Sequence, residues 1–262
     1  ASRIDAAAAA FVEARGQWRA MPNYKGRHPA DLAAAYRIQD SAIALAGREV
    51  VGWKLGRIGV PGYAVARLAG PIFAGSVAVA RPGDAAPAMP VFAEGFAAVE
   101  AEFVLRVGET VRPSPRSYAI ADARAIVEAV HVGLEIASSP FPGINDHGPE
   151  VTVSDFGNNN GLVLGAAIAH WQDAALDDWP VELRIDDRVA GSGSTATMLD
   201  GPFGSLRFLL EHLAARGRTL TAGSLVSTGA ITGVHRIAPG QRATASFGTD
   251  LAVRCRIEAG RI

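Results

Sequence analysis

The stretch Val99-Glu100-Ala101-Glu102-Phe103-Val104-Leu105-Arg106-Val107 constrains the chain more than any other, because it has the pattern of a core strand and carries two carboxylates. Side chains alternate faces along a strand, so Val99, Ala101, Phe103, Leu105 and Val107 share an apolar face and Glu100, Glu102, Val104 and Arg106 share the other. Glu100 and Glu102 are then neighbours roughly 6 to 7 Å apart. At an effective dielectric of about 20, two like charges at that distance repel by roughly 2 to 3 kcal/mol. Three things can offset this: bulk water on an exposed face, Arg106 in a salt-bridge ladder, or a divalent cation in a pocket.

Composition narrows the setting. The 262 residues can bury a full core, and a formal charge of −1 gives no basic face for nucleic acid. No apolar run approaches membrane-spanning length, so neither nucleic acid nor a membrane is expected as a partner. The opening alanines through Ala10 read as a helix, since Asp5, Glu13 and Arg15 interrupt any signal-peptide pattern. Cys255 is the only cysteine, which excludes an intrachain disulfide and points to a reducing, cytoplasmic compartment. It alternates with Leu251, Val253 and Ile257 and reads as a buried structural thiol.

Of the twenty-five basic residues only Lys25 and Lys54 are lysines. Guanidinium holds its proton at any useful pH, so a lysine is the choice where an amine must exchange one. Lys54 sits in the apolar, glycine-bracketed run Val50-Val51-Gly52-Trp53-Lys54-Leu55-Gly56, a context expected to depress its pKa. The plain alternative is a strand-end lysine snorkelling to water.

In chain order, 3–20 and 30–47 read as amphipathic helices, the second capped by Asp31, and 49–55 as a strand. A loop or short helix is expected over 59–69, turn chemistry over 70–75, a strand at 76–79, and a Pro/Ala/Gly-rich boundary over 81–90. That boundary divides an N-terminal α/β segment, 1–80, from a main body, 81–262. Strand 91–107, helix 120–129 and buried strand 130–137 follow, and Glu135 faces away from Leu134 and Ile136. Three glutamates on adjacent strands would make an oxygen-rich site for a hard cation, Mg²⁺ or Mn²⁺, with no Cys or spaced His to argue for zinc; Glu135 alone could equally be a buried salt-bridge partner.

The segment 138–153 is rich in Pro and Gly and reads as an irregular loop, with His147 a candidate lid acid or base. Ser154 to Gly161 is polar and glycine-flanked; its amides could hold a carboxylate, and a plain turn of asparagines is equally compatible. A strand at 162–168, a hairpin over 181–191, a helix at 204–216 and a last third of strands complete a mixed α/β reading.

Several motifs, weak singly, occur in a specific order: Gly52-Trp53-Lys54-Leu55-Gly56, Glu100-Ala101-Glu102-Phe103, Leu134-Glu135-Ile136, Asp155 to Gly165, Val189 to Ser194, Leu220 to Ser224, and Thr228-Gly229 with Pro239-Gly240. Together they resemble the 2-keto-4-pentenoate hydratase and 4-oxalocrotonate decarboxylase group of the fumarylacetoacetate hydrolase superfamily, from Tyr36 and Gln39 onward. The resemblance implies an α+β fold, with an N-terminal helical and α/β segment on a curved, mainly antiparallel sheet core. It implies Glu100, Glu102 and Glu135 as Mg²⁺ or Mn²⁺ ligands and Lys54 as the catalytic amine. Leu55, Asp155, Asn158, Thr228 and Gly229 would bind substrate, and the chain would form a homo-oligomer.

The implied activity is that of a metal-dependent lyase on a small 2-oxo acid, foremost hydration of 2-hydroxypenta-2,4-dienoate in aromatic-compound breakdown. Decarboxylation of an oxalocrotonate-like diacid, hydrolytic cleavage of an acylpyruvate and a non-catalytic 2-oxo-acid or metal binder are the alternatives. Two departures stand out. Pro71-Ile72-Phe73-Ala74-Gly75 lacks the acidic residue expected after the lysine motif, and the Asp-Asn-Ala-Ser-type turn is here Asp155-Phe156-Gly157-Asn158.

Overall fold

A computed structural model describes residues 5–262. Two sheets carry the fold. The larger comprises β1 (Val50–Arg57), β2 (Arg67–Phe73), β3 (Val77–Val79), β5 (Phe96–Val107), β6 (Val127–Ser139), β7 (Asn159–Ala167), β10 (Leu225–Ser227) and β11 (His235–Arg236). Its order is β2-β1-β10-β5-β6-β7-β3, with β11 also paired to β5. The smaller runs β4-β13-β12-β8-β9, from β4 (Ala88–Val91), β8 (Val181–Ile185), β9 (Arg188–Gly193), β12 (Arg242–Phe247) and β13 (Leu251–Ala259). Most pairs are antiparallel; β1–β10, β3–β7 and β4–β13 are parallel.

The two faces of β5 divide the molecule. Its odd-numbered residues pack on the smaller sheet, where Phe103 meets Phe247 with ring centroids 5.4 Å apart. That burial is the main apolar core and supplies most of the stabilisation. Cys255 lies in it as expected, its thiol pushed up to about 12 by burial.

Helices α1 (Ala6–Gly16), α2 (Leu32–Ala46), α3 (Ile120–Ala125), α4 (Pro149–Ser154) and α5 (Gly201–Ala215) complete the chain. Asp5 caps α1 by accepting from the Ala7 and Ala8 amides, and Asp31 caps α2. The expected start of the first helix at residue 3 lies outside the described residues. Its end comes earlier than expected, at Gly16, and Trp18 follows with φ of 50°.

Elsewhere tertiary pairing overrides local signals. Residues 67–73, expected as loop and turn, form β2. Pro71 is tolerated because β2 lies at the sheet edge and pairs only with β1. The expected single strand 91–107 is two strands in different sheets, and the helix expected to reach 129 stops at Ala125 so that β6 can pair with β5 along its full length. The irregular segment 138–153 contains the end of β6 and α4, with Pro149 in the helix's first turn. The 81–90 stretch joins β3 to β4 and includes the first three residues of β4, while β1 and β2 on its N-terminal side belong to the same sheet as β5 and β6.

Helix α1 is tied to the sheet by a buried ion pair. Arg15 donates Nε to Asp155 Oδ1 at 2.7 Å and Nη2 to Asp155 Oδ2 at 3.0 Å, with further bonds to Asn160 Oδ1 and the Ser138 carbonyl. Breaking one side of such a pair strands a buried charge. Arg15→Met is therefore expected to cost about 3 to 5 kcal/mol in chemical denaturation, and Arg15→Met combined with Asp155→Asn to recover part of that loss.

Candidate metal centre and cleft

The even-numbered face of β5 holds the unusual chemistry. Glu100 and Glu102 lie on it in successive positions, and Glu135 on β6 is the register partner of Glu100. Gly133 is the partner of Glu102, so no side chain there competes for the space. On the other side Lys54 pairs with Ser227 on β10, and Ser227 with Val104 on β5, which brings Lys54 and Ser227 onto the same face.

The three carboxylates converge, with one oxygen from each within 4.8 Å of the others. All three are buried, as is Lys54. The solvated strand face is thereby excluded. The Arg106 ladder is excluded as well, since among the described residues Arg106 forms no ion pair with either glutamate. Lys54 has not snorkelled to water: Nζ lies 3.2 Å from Glu135 Oε1, donates to the Gly157 carbonyl at 3.0 Å and reaches Asn158 Oδ1 at 3.4 Å.

The carboxylates are under-satisfied. Glu102 Oε2 accepts from the Ser227 hydroxyl and from the Gly229 amide at 3.0 Å, and Glu135 Oε1 faces the Lys54 ammonium, while Glu102 Oε1 and Glu135 Oε2 have no hydrogen-bond partner. Orphaned buried oxygens carry a desolvation cost that a hard cation removes. The donor set is all oxygen, which fits Mg²⁺, Mn²⁺ or Ca²⁺ and not zinc. On these grounds the residues fit a divalent ion.

Protonation follows the same physics. Burial raises Glu102 well above the ordinary carboxylate value, aided by the charges of Glu135 and Glu100. Burial likewise lifts Glu135 to about 7, against the lowering pull of Lys54. For Lys54, burial pulls the pKa down, but the three carboxylates together outweigh it and the net shift is upward. The depressed lysine expected from the apolar run is thus corrected: the run considered alone omits the acids across the sheet.

A cleft of about 910 Å³ opens over this cluster, lined by Lys54, Glu100, Asn158, Thr228 and Gly229 among others. Asn158 belongs to a turn in which Phe156, Gly157 and Asn158 have φ of 54°, 60° and 59°. Two of those are not glycine, so the turn carries strain that its anchors must hold. One anchor is Asp155. A second is close packing on Gly70, where an added Cβ would lie 2.0 Å from the Phe156 carbonyl oxygen.

The remaining expected residues are placed otherwise. Asp155 is fully buried, outside the cleft lining, and engaged by Arg15 and by the Ser139 hydroxyl at 2.6 Å. Its carboxylate is therefore occupied inside the protein. Leu55 points to the opposite face from Lys54 and joins the core. The Thr228 hydroxyl donates to the Phe103 carbonyl at 2.7 Å, and the Gly229 amide serves Glu102. His147 is exposed, does not line the cleft, and stacks on Phe141 at 5.8 Å. The Phe73–Gly75 turn, where an acid was missed, lines a different hollow beside Arg48, so its lack of an acid leaves the cleft as it is. Ser227 was not foreseen; a hydroxyl in a short buried strand next to Thr228-Gly229 was the available signal.

Residues 64–260 match the family model for the fumarylacetoacetate (FAA) hydrolase C-terminal domain. The chain belongs to this family. Within the FAA hydrolase family it is 27% identical over 245 residues to 2-keto-4-pentenoate hydratase 1 of Dechloromonas aromatica (strain RCB), covering 91% of this chain and 90% of that protein. It is 28% identical over 137 residues to 4-oxalocrotonate decarboxylase of a Pseudomonas species, covering 52% of this chain and 48% of the relative, so the match spans about half of that protein's length. In fold it resembles the solved 4-oxalocrotonate decarboxylase from Pseudomonas putida G7, complexed with magnesium and adipate. That likeness has a TM-score of 0.79 at 21% identity over 96% of both chains. The α+β architecture and the mainly antiparallel core are those expected of the family.

The pKa directions give a prediction with a definite sign. A carboxyl raised in the fold binds more protons folded than unfolded, so it removes stability as pH rises from its unfolded value to its folded one. For Glu135 that window runs from 4.5 to about 7. Chelator-treated protein should lose thermal stability across it, and saturating Mg²⁺ should reduce or reverse the loss, as read from paired melting curves. Glu102→Gln should weaken Mg²⁺ binding by more than the roughly 10- to 100-fold that loss of an outer partner costs, measured by calorimetry.

Proposed function

We propose that this protein is a metal-dependent lyase acting on a small 2-oxo acid, foremost hydrating the conjugated double bond of 2-hydroxypenta-2,4-dienoate or a close analogue. The observation that carries the reading is the buried meeting of Glu100, Glu102 and Glu135 with Lys54 at the floor of an open cleft. Family membership supports it, as does the near full-length similarity to a 2-keto-4-pentenoate hydratase.

In this reading Glu100, Glu102 and Glu135 hold Mg²⁺ or Mn²⁺. The bound ion supplies a hard Lewis acid that polarises the 2-oxygen and carboxylate of a chelating substrate and acidifies C3. Lys54 Nζ is the chain's own proton carrier at that carbon. Two of its contacts, the Gly157 carbonyl and Asn158 Oδ1, fix its direction toward the carboxylates. Asn158 and the Thr228–Gly229 backbone line the space where the substrate's carboxylate end sits.

Decarboxylation of an oxalocrotonate-like diacid is the second reading, favoured by the arginines around a cleft large for a five-carbon acid and by the partial similarity to a 4-oxalocrotonate decarboxylase. The reading also takes the protein to be cytoplasmic and a homo-oligomer, for which exposed Val60, Leu199 and Val234 beside the cleft offer apolar surface. Among the described residues no helix is long and apolar enough to cross a membrane.

The test is turnover by Mg²⁺- and Mn²⁺-loaded protein of 2-hydroxypenta-2,4-dienoate and of 4-oxalocrotonate, followed by absorbance loss and CO₂ release. Lys54→Met should lower kcat by about 10²- to 10⁴-fold while Mg²⁺ affinity by calorimetry stays within a few-fold. Retained turnover in that variant, or metal-independent turnover in the parent, would overturn the assignment.

A further inference from the structure

We infer that the hollow behind the strained 156–158 turn is a second binding site, separate from the cleft, for a small monocarboxylate with an apolar body. It measures about 210 Å³ and lies between the end of α1, the turn after Phe73, β3 and β4, and the residues on either side of the strained turn. It shares no lining residue with the cleft over the metal centre. Arg15 and Arg48 line it, and no Asp or Glu does. Arg15 is matched by Asp155 behind the wall. Arg48 has no ion-pair partner among the described residues, so the wall carries an unmatched positive charge.

The backbone fixes that guanidinium in place. Arg48 follows Gly47, the left-handed residue that closes α2, and precedes β1. The Ala74 amide donates to the Glu49 carbonyl at 2.8 Å, and Arg48 Nη2 donates to the Ala74 carbonyl at 3.3 Å. The guanidinium lies 4.8 Å over the Phe73 ring, which orients its plane and leaves its other donors free. Desolvation and the charge of Arg15 hold Arg48 below its ordinary proton affinity, so the two guanidiniums feel each other across the hollow. An anion between them relieves that repulsion, and a carboxylate matches the guanidinium fork with two parallel bonds. Asn159, buried in the same wall, gives one amide hydrogen to the Gly161 carbonyl at 3.3 Å and has a second to offer. The rest of the wall is largely apolar, with Trp18, Phe73, Met89 and Phe156. Such a wall favours a carboxylate on a flat hydrocarbon body over a compact ion such as phosphate, whose water shell it cannot replace. A volume below the about 300 Å³ at which sites for drug-sized ligands begin keeps that body small.

The probes are benzoate, its neutral isostere benzamide, acetate and inorganic phosphate, titrated into the protein with and without Mg²⁺ and followed by ligand-observed NMR. A charge-assisted bond at a partly exposed site predicts that benzoate binds about 10-fold more tightly than benzamide. Burial of the ring predicts a margin of about 10-fold or more over acetate. Arg48→Met should bring benzoate to within about 2-fold of benzamide, and Arg48→Lys should keep part of the preference. Arg48 is exposed, so neither variant threatens the fold. Benzoate affinity should be the same with and without Mg²⁺, and the same in a variant carrying both Arg57→Met and Arg236→Met on the cleft lining. Dependence on the ion or on those two arginines places the carboxylate in the cleft and overturns the inference. So does a benzoate preference that is absent in the parent or survives Arg48→Met, or phosphate binding as tight as that of benzoate.

Discussion

Three carboxylates and one ammonium share a buried patch of sheet, and the rest of the molecule is arranged around that excess of negative charge. Glu100, Glu102 and Glu135 stand buried on adjacent strands with the apolar Val104 and Leu162 beside them, so their charges are poorly screened. Lys54 offsets one charge; the Ser227 hydroxyl and the Gly229 amide stabilise one further oxygen. Glu102 Oε1 and Glu135 Oε2 are left without a hydrogen-bond partner. A sheet of this size tolerates such a defect because its other face is buried against the smaller sheet through residues such as Phe103, Phe247 and Leu183. The stabilisation sits on one side of β5 and the reactive strain on the other, which is how a functional site can be kept at a local energetic loss.

Positioning of the lysine extends the site well beyond the carboxylates. The Gly157 carbonyl that accepts its hydrogen bond belongs to three successive residues in the left-handed region, and that turn is held from outside by Asp155. Asp155 is held in turn by Arg15 of α1. Both Lys54 and Arg15 precede residue 64, where the match to the family model begins. The N-terminal segment therefore does more than cover the core: it supplies the amine and the clamp behind the turn that orients it. A division of the chain near residue 81 describes a change of composition, while the sheet and the site run across it.

Much of this could be read from residue order because strand alternation and cross-strand pairing are simple rules. Glu100 and Glu102 share a face by period alone, and the lysine bias singled out Lys54. What alternation does not contain is depth. Whether the second face of β5 meets water or protein depends on elements far away in sequence, and so the solvated alternative stayed open. The same limit explains the lysine's proton affinity, which depends on acids supplied by two other strands. Asp155 is misplaced for a related reason: a polar residue in a glycine-flanked turn gives the same signal whether it faces a ligand or a half-buried arginine 140 positions earlier. β2 was missed because Pro71 and Gly70 are turn residues by propensity, yet at a sheet edge the missing amide costs nothing and the missing Cβ makes room for the Phe156 carbonyl.

An acid near Phe73 would matter to hydration only if its turn faced the cluster, since adding water to a conjugated acid calls for a group that can take and return protons. That turn lines a hollow away from the cluster, so its composition bears on packing near Arg48 and Phe73 rather than on chemistry. The groups able to exchange protons over the cleft are Lys54 and the carboxylates, and their proton affinities are displaced from ordinary values by burial and by one another. In the proposed mechanism hydration and decarboxylation would both begin by placing negative charge on a chelated 2-oxo acid, and both would draw on Lys54 to return a proton to carbon. They differ in what departs and in what the far end of the substrate must be. The metal cluster serves both reactions alike, so it does not by itself separate the candidate substrates.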